Sequence, residues 1–188
     1  MAASITGILL GLVGLLLFLA VGVIFLYNRM LVLRNRVDNA WAQIGVQLKR
    51  RYDLIPNLVQ TVKGYAAHEQ STFEQVVKAR QIAMGASAIK EQGEAENMLS
   101  STLKSLFAVA EAYPELKANE NFMMLQEELA GTESKIAYAR QFYNDSVLSY
   151  NNGIQMFPAN LLAGIFSFTP RESFEVEESV KEAPQVSF

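Results

Sequence analysis

Apolar side chains follow one another almost without interruption at the start of this sequence, and beyond residue 28 they recur at helical spacing. No charged side chain occurs in residues 1–28, and residues 5–27 are apolar apart from Thr6. As a helix, this run would be about 34 Å long, enough to cross a hydrocarbon layer of roughly 30 Å. The pattern predicts a transmembrane anchor over residues 1–28.

A buried soluble helix and a cleaved signal peptide are the alternatives for this run. A soluble helix needs a polar face toward water, and this run has none. A signal peptide usually has basic residues before an apolar core of about 7–15 residues, whereas here no Lys or Arg precedes a longer core. We therefore predict an uncleaved, single-pass anchor.

The charges that follow the span predict its orientation. Arg29, Arg34 and Arg36 come soon after it, opposed only by Asp38. The positive-inside rule then places the N-terminus outside and the following domain in the cytoplasm, with the anchor in the inner (cytoplasmic) membrane. The opposite orientation, with the domain on the periplasmic or extracellular side, is the alternative.

Small residues line one face of the predicted span. Gly7 and Gly11 are four residues apart, and Gly14 extends the same face. In lipid such a face lets two helix backbones approach closely, so these three glycines are candidate positions for association between spans. The alternative is the ordinary tolerance of membrane helices for glycine.

From residue 29 to residue 157 the apolar residues lie three and four positions apart, as in helices that bury one stripe. The pattern predicts helices over about 28–51, 54–85, 95–113 and 119–157. Pro56 is expected in the first turn of the second helix, and Pro114 and Pro158 are expected to end the third and fourth.

These elements predict an all-α fold. Neither Gly nor Pro separates the span from the first helix, so the two are expected to form one continuous helix. Helices with one apolar stripe each bury those stripes against one another, and short connections make neighbours antiparallel. The expected result is an antiparallel up-and-down bundle of three to four long helices with coiled-coil-like seams.

Two segments follow the predicted bundle. Residues 158–170 form a short apolar segment that is too large to leave exposed on a monomer. Its candidate contacts with a partner protein are Leu161, Leu162, Ile165, Phe166 and Phe168. Residues 171–188 form an acidic tail, which we expect to be flexible unless a partner holds it.

Composition excludes most catalytic and metal chemistry. The sequence has no cysteine and one histidine, so thiolate zinc sites, cysteine nucleophiles and the Glu-x-x-His pairs of di-iron bundles are excluded. A formal charge of -3 also lacks the basic surplus of nucleic-acid-binding domains. We predict no enzyme activity, no catalytic or metal-binding residues, no cofactor and no nucleic-acid partner.

The remaining polar and aromatic features are interpreted as structural. His68 is expected on a helix surface, residues 49–51 (KRR) form a solvated helix end, and Glu133 belongs to a solvated face or an ion pair. The aromatic residues at 143, 150 and 157 recur every seven positions, which indicates a core seam. The first two are followed by asparagines, whose amides are expected to form a ladder that fixes the register between helices.

Four segments of the sequence resemble the bacterial LemA family. They are residues 27–41, 51–59 (RYDLIPNLV), 113–119 (YPELKAN) and 143–151 (YNDSVLSYN). The resemblance covers nearly the whole chain and fails only in the C-terminal tail. It implies an N-terminal membrane anchor, an antiparallel helical-bundle domain and a bacterial source. The family has no established enzymatic activity or cofactor, so the resemblance adds no catalytic residues.

These features predict a membrane-anchored scaffold or assembly protein that is non-enzymatic, self-associates and works through protein interaction. Its expected partners are the lipid bilayer, further copies of the chain and other membrane proteins. The alternative is a ligand-sensing or envelope-stress input domain on the same bundle. That alternative needs a pocket between the helices with a few convergent polar groups.

Overall fold

A computed structural model describes the backbone of residues 2–174 and the side chains from residue 9 onward, and this part of the chain contains six helices. They are α1 (Ala2–Lys63), α2 (Gln70–Gly85), α3 (Ile89–Glu111), α4 (Pro114–Lys117), α5 (Glu120–Gln155) and α6 (Ala159–Ile165). No strand occurs in residues 2–174, so the all-α prediction is confirmed.

The described residues divide into two compact units. The anchor unit comprises the chain up to Ala40 together with Tyr143–Arg171, and the bundle unit comprises Trp41–Phe142 together with the described residues after Arg171. Helices α1 and α5 contribute residues to both units. Helices α2, α3 and α4 belong to the bundle unit, and α6 belongs to the anchor unit.

The core of the bundle unit is built from the apolar stripes of α1, α2, α3 and α5. Their most deeply buried members include Ile44, Leu48, Ile55, Leu58, Phe73, Val76, Leu99, Leu103, Leu106, Phe122, Leu129 and Ile136. Residues 86–88 alone separate α2 from α3, so these two helices form an antiparallel hairpin. Burial of each large side chain contributes roughly 1.5–3 kcal/mol, which makes the packing of these stripes the main source of stability in this unit.

Helix α1 continues through Pro56, so the predicted break between residues 51 and 54 is wrong. A proline inside a helix lacks an N–H donor and crowds the carbonyl four residues earlier. Here that carbonyl belongs to Tyr52, and it accepts a hydrogen bond from Nε of Arg80 on α2 at 2.8 Å. Because a charged donor replaces the lost helical bond, α1 extends to Lys63.

The predicted second helix, residues 54–85, is divided in two. Its first part belongs to α1, which ends at Lys63, and its second part is α2, which begins at Gln70. Gly64 follows the end of α1, and glycine favours a helix less than any residue except proline. His68 lies exposed in the connection between the two helices, so the prediction that it lies on a helix surface is wrong.

Side-chain caps set the starts of α3 and α5. The Glu91 carboxylate accepts hydrogen bonds from the backbone N–H groups of Ser87 at 3.1 Å and Ala88 at 3.4 Å, and these bonds lower the pKa of Glu91. This cap lets α3 begin at Ile89 rather than near the predicted residue 95. At the start of α5, Oδ1 of Asn119 accepts the N–H of the third following residue at 3.0 Å.

The anchor unit buries a second apolar core between α1 and α5. Met30 and Val37 of α1 and Val147 of α5 are almost fully buried. Gly153 allows a close approach, because a Cβ at this position would lie 2.7 Å from Cδ1 of Leu33. The absent side chain therefore lets Leu33 lie directly against α5.

The predicted flexible tail begins too early. Phe174, in the bundle unit, is buried, with its ring centroid 6.0 Å from that of Trp41 and 4.5 Å from the guanidinium carbon of Arg140. Acidic composition predicted a mobile segment from residue 171 onward, but one aromatic side chain is enough to hold its start. The remainder of the predicted tail, residues 175–188, lies outside the described residues.

We expect Arg80→Leu to lower the free energy of unfolding by about 1–2 kcal/mol, because the Tyr52 carbonyl would lose its charged donor. In a Pro56→Ala background residue 56 regains an N–H for that carbonyl, so the same substitution of Arg80 should cost less. Denaturant unfolding of the wild type, both single variants and the double variant in detergent, followed by circular dichroism, measures these costs. Equal costs in the two backgrounds would contradict the explanation.

Candidate functional site

The apolar half of α1 exposes its side chains along its whole length. Every residue from Leu9 to Phe25 is exposed and none is charged. A helix of this length and composition can cross a bilayer, where such a surface is favourable. The three candidate glycines, Gly7, Gly11 and Gly14, have open space where a side chain would begin. Association through these glycines stays a prediction.

The five candidate partner contacts do not share one environment. Leu161, Ile165 and Phe166 of the anchor unit are exposed, and Leu162 is half-buried. These four side chains therefore lie on or near a common apolar surface at α6. Phe168 differs from them, because it is only 8% exposed.

The prediction of Phe168 as a partner contact is wrong. Its ring centroid lies 5.8 Å from that of Tyr27 in an edge-to-face arrangement, and the guanidinium of Arg34 lies 5.3 Å from the ring centroid. The aromatic side chain is thus taken up within the anchor unit, where it fastens the chain after α6 to α1.

The segment that carries α6 leaves α5 and returns to it. The Tyr150 hydroxyl donates a hydrogen bond to the carbonyl of Thr169 at 2.9 Å. The Asn151 side chain donates to the backbone carbonyl of Arg171 and accepts from its N–H, both at 2.9 Å. The Arg171 guanidinium in turn lies 3.2 Å from the carboxylate of Asp38. These contacts close residues 151–171 into a loop with α6 at its tip.

Two predictions for the end of α5 are corrected. Phe157 is exposed and not part of the core seam, because α5 ends at Gln155 and helical spacing no longer fixes its direction. Asn151 pairs with the backbone of Arg171 rather than with another asparagine. Tyr143 and Tyr150 are buried, as the seven-residue spacing predicted.

Six polar residues of the bundle unit form a connected group, here called the polar cluster: Arg51, Tyr52, Gln92, Glu96, Ser100 and Glu133. Arg51 is its centre and is 0% exposed. Its Nη1 donates to Oε2 of Glu96 at 2.7 Å, and its Nη2 donates to Oγ of Ser100 at 2.8 Å. Its Nε lies 2.9 Å from Oε1 of Glu133, but the N–H does not point at that oxygen, so this contact is an ion pair without a hydrogen bond. The prediction of a solvated helix end is therefore wrong for Arg51.

Glu96 joins α3 to α1, and its neighbour in the cluster, Gln92, adds a bond to α2. Its Oε1 accepts hydrogen bonds from the Tyr52 hydroxyl and from Nε2 of Gln92, the latter at 3.0 Å, while its Oε2 accepts from Arg51 of α1. Nε2 of Gln92 also donates a hydrogen bond to the backbone carbonyl of Ala83 on α2, at 3.1 Å. The buried carboxylate is thereby neutralised and fully hydrogen-bonded, as a charge in an apolar interior must be.

Burial dominates the electrostatics of the cluster. Burial, followed by the hydrogen bond to Glu96, raises the pKa of Tyr52 well above its usual range, so its hydroxyl remains a proton donor at neutral pH. Burial also raises the pKa of Glu133, against the lowering effect of the Arg51 charge. Burial lowers the pKa of the neighbouring Arg140. The charges of Arg51 and Arg140 are thus balanced by the carboxylates of Glu96 and Glu133 in this part of the bundle unit.

The arrangement is suited to holding helices together. The oxygens of Glu96 are occupied by donors from the protein itself, which leaves this carboxylate no open position for a substrate. Among the side chains described, no group of three or more His, Cys, Asp or Glu residues is placed to bind a metal ion. The polar cluster therefore joins the helices of the bundle unit to one another.

A surface groove of about 530 Å³ borders the polar cluster. Its polar lining comes from Arg51, Ser100, Lys104, Gln126 and Glu133. Its apolar lining comes from Leu103, Phe107, Leu129 and Ala130. This combination of apolar walls and a few convergent polar groups is typical of ligand sites.

The polar cluster has a signal in the sequence, although it was not among the predicted features. Arg51 lies three residues after Leu48 and four before Ile55, so it occupies the buried stripe of α1. Glu96 lies three residues before Leu99, so it occupies the buried stripe of α3. A charged residue in step with an apolar stripe predicts a buried charge, and two such residues of opposite sign predict a pair.

A model of the LemA family matches residues 40–188, which include α2 to α6 and the whole polar cluster. The chain belongs to the LemA family. This membership confirms the resemblance to the family, but not the extent that was expected of it. The match includes the C-terminal tail, where the resemblance was expected to fail, and it begins after most of the motif at residues 27–41. The loop around α6 also lies within the matched residues.

Individual relatives are distant. Magnetosome protein MamQ 2 of Paramagnetospirillum magneticum is 25% identical over 175 residues, and magnetosome protein MamQ of Magnetospirillum gryphiswaldense is 26% identical over 174 residues. Both alignments cover 79% of this chain and 64% of the relative. Protein LemA of Metamycoplasma hominis is 25% identical over 137 residues, 72% of this chain and 63% of the relative. The chain thus spans slightly less than two thirds of the length of these relatives.

Removing either Arg51 or Glu96 alone should lower the free energy of unfolding strongly. Removing both should lower it by less than the sum of the two single effects. We expect Glu96→Leu to lower the free energy of unfolding by about 3 kcal/mol, because Arg51 would lose its fully buried partner and keep only the ion pair with the half-buried Glu133. Arg51→Met combined with Glu96→Leu should cost clearly less than the sum of the single changes. Chemical denaturation in detergent measures all three.

The exposed pair of Lys49 and Asp53, whose charged atoms are 2.7 Å apart, supplies the matched control. The corresponding cycle with Lys49→Met and Asp53→Leu should show a coupling below about 1 kcal/mol, since solvent screens surface pairs. A coupling between Arg51 and Glu96 as small as that between Lys49 and Asp53 would contradict the conclusion that the polar cluster joins the helices.

Proposed function

We propose that this LemA-family protein is a non-enzymatic scaffold that is held at a membrane and self-associates through its span. The observation that carries the proposal is the exposed, charge-free surface of Leu9–Phe25, on the same helix that supplies Arg51 to the bundle unit. One helix thereby has a part suited to lipid and a part packed in protein. A chain built in this way fixes a folded bundle to a bilayer without a linker.

Two further observations support a role that depends on interaction. The polar cluster satisfies its charges internally, so its residues act on one another rather than on a bound reactant. The similar proteins are named for the magnetosome or for the LemA family, and not for a reaction. We therefore infer that the surfaces of this protein, and not a catalytic centre, carry its function.

Self-association through the span predicts that Gly11→Leu yields a smaller particle. A leucine side chain would fill the open space beside Gly11 and keep two helix backbones apart. Light scattering of the detergent-solubilised protein at micromolar concentration measures the mass, which should fall from that of several copies toward that of one. Ala20→Leu is the matched control, because Ala20 is exposed nine residues further along and about 180° around the helix. A wild-type particle with one copy of the chain would overturn this part of the proposal.

We infer that the span lies in the inner membrane with the bundle in the cytoplasm, because Arg29, Arg34 and Arg36 follow the apolar run. Protease added to intact spheroplasts should then leave the bundle unit undigested, and lysis should expose it. Cleavage beyond Arg29 in intact spheroplasts would instead place the bundle on the periplasmic or extracellular side.

The groove beside the polar cluster favours ligand sensing as a second candidate function. A ligand in this groove would lie beside Glu133, whose ion pair with the buried Arg51 joins α5 to α1 within the polar cluster. Native mass spectrometry of protein purified from its own membranes should then detect a bound small molecule. Ala130→Trp should remove it by filling the groove, whereas Ala137→Trp, at an exposed position of the same helix outside the groove, should not. A spectrum of ligand-free protein would count against this candidate.

A further inference from the structure

The segment around α6 lies beside the lipid-facing part of α1. Pro158, Leu161 and Leu162 line one side of an apolar cleft of about 250 Å³, and residues of α1 between Phe18 and Leu26 line the other. The ring of Phe166 packs edge-on against Tyr27, with the two centroids 4.9 Å apart. The whole arrangement belongs to the anchor unit.

The neighbouring residues of α1 fix the depth of this segment. The first charged residue after the apolar run is Arg29, which marks the side of the membrane where the chain emerges. Leu26 and Phe18 precede it by distances along the helix axis of about 5 and 16 Å. Side chains that pack against these residues therefore lie at the level of the headgroup and acyl boundary or below it, the depth at which interfacial helices bury their apolar faces.

The composition of the segment matches that position. No Asp, Glu, Lys, Arg or His occurs in residues 146–170, between Asp145 and Arg171. Phe157, Leu161 and Ile165 all turn large apolar side chains outward. Charge returns at Arg171, which pairs with Asp38, on the part of α1 that lies beyond the apolar run.

Hydrogen bonds within the segment satisfy part of its backbone, which lowers the cost of placing it in lipid. The N–H groups of Asn160, Leu161, Phe166 and Phe168 donate to carbonyls of Met156, Pro158, Leu162 and Ala163 respectively, at 2.9–3.3 Å. The side chain of Asn160 is exposed and polar. It sets a limit to insertion, because an amide is tolerated at the boundary with the headgroups more readily than in the hydrocarbon centre.

We propose that residues 156–166 form a second membrane-embedded element, which dips into the leaflet on the Arg29 side and is covered by acyl chains. This element does not cross the bilayer. It enters with α6 at its tip and returns to the contacts of Tyr150 and Asn151 with residues 169–171. Lipid, rather than a protein partner, then covers Leu161, Ile165 and Phe157. The proposal requires the membrane anchor but not self-association.

Site-directed spin labelling tests the proposal on the full chain, which has no native cysteine. Single variants Ile165→Cys, Phe18→Cys and Tyr138→Cys place labels at sites of nearly equal exposure, 73%, 76% and 74%, in the loop, the span and the bundle unit. The labelled proteins are reconstituted in vesicles of phosphatidylcholine and phosphatidylglycerol. Collision rates with oxygen, which concentrates in lipid, and with a nickel chelate, which stays in water, are then compared.

The expected ratio of oxygen to nickel collisions at residue 165 is several times that at residue 138 and approaches that at residue 18. A ratio equal to that at residue 138 would place the segment in water and overturn the proposal. Slow collisions with both reagents would show that protein covers the segment, a second copy included, and would overturn it as well. Phe157→Cys repeats the measurement should the label at residue 165 disturb the fold, as judged by circular dichroism.

Discussion

A charge in an apolar medium must be paired or absent, and this constraint governs both units of the chain. Moving a lone charge out of water costs several kcal/mol, as much as a small domain's whole stability. In the anchor unit the constraint is met by absence, since Leu9–Phe25 and the loop around α6 have no charged residue. In the bundle unit it is met by pairing, since the buried guanidinium of Arg51 has Glu96 as its partner. Helix α1 uses both solutions along one continuous backbone.

The pairing solution depends on a proline. Tyr52 gives its hydroxyl to Glu96 and its backbone carbonyl to Arg80, and that carbonyl is free because Pro56 has no N–H to donate. The break in the helical bonding of α1 therefore becomes an attachment point for α2. Buried polar groups of this kind add little net stability, but they penalise every packing that leaves them unpaired. We infer that the polar cluster selects one register among α1, α2, α3 and α5. Their apolar stripes alone would permit several registers.

Sequence patterns predicted the elements better than their ends or their polar contacts. The apolar run and the helical period are local properties, so the long helices and the candidate span could be predicted from the sequence, although several helix ends could not. The continuation of α1 through Pro56 could not, because it depends on the guanidinium of Arg80, which lies 28 residues after Tyr52 in the chain. The burial of Phe168 is likewise decided by Tyr27 and Arg34, which are remote in sequence. Local composition therefore predicted the conformation and exposure of a segment correctly only where no tertiary contact changed them.

The surface that we propose for contact with lipid is accordingly a tertiary property. Two stretches of the chain without charge, residues 1–28 and 146–170, are separated by most of the sequence. Only the first is long enough to be recognised as a span, because the second begins as the end of a soluble-type helix and continues as a short loop. Within the anchor unit the loop nevertheless lies against Phe18–Leu26. A segment of seven helical residues is too short to hold a protein in a bilayer by itself, but the proposed element needs no independent affinity, since a membrane anchor beside it would bring it to the interface.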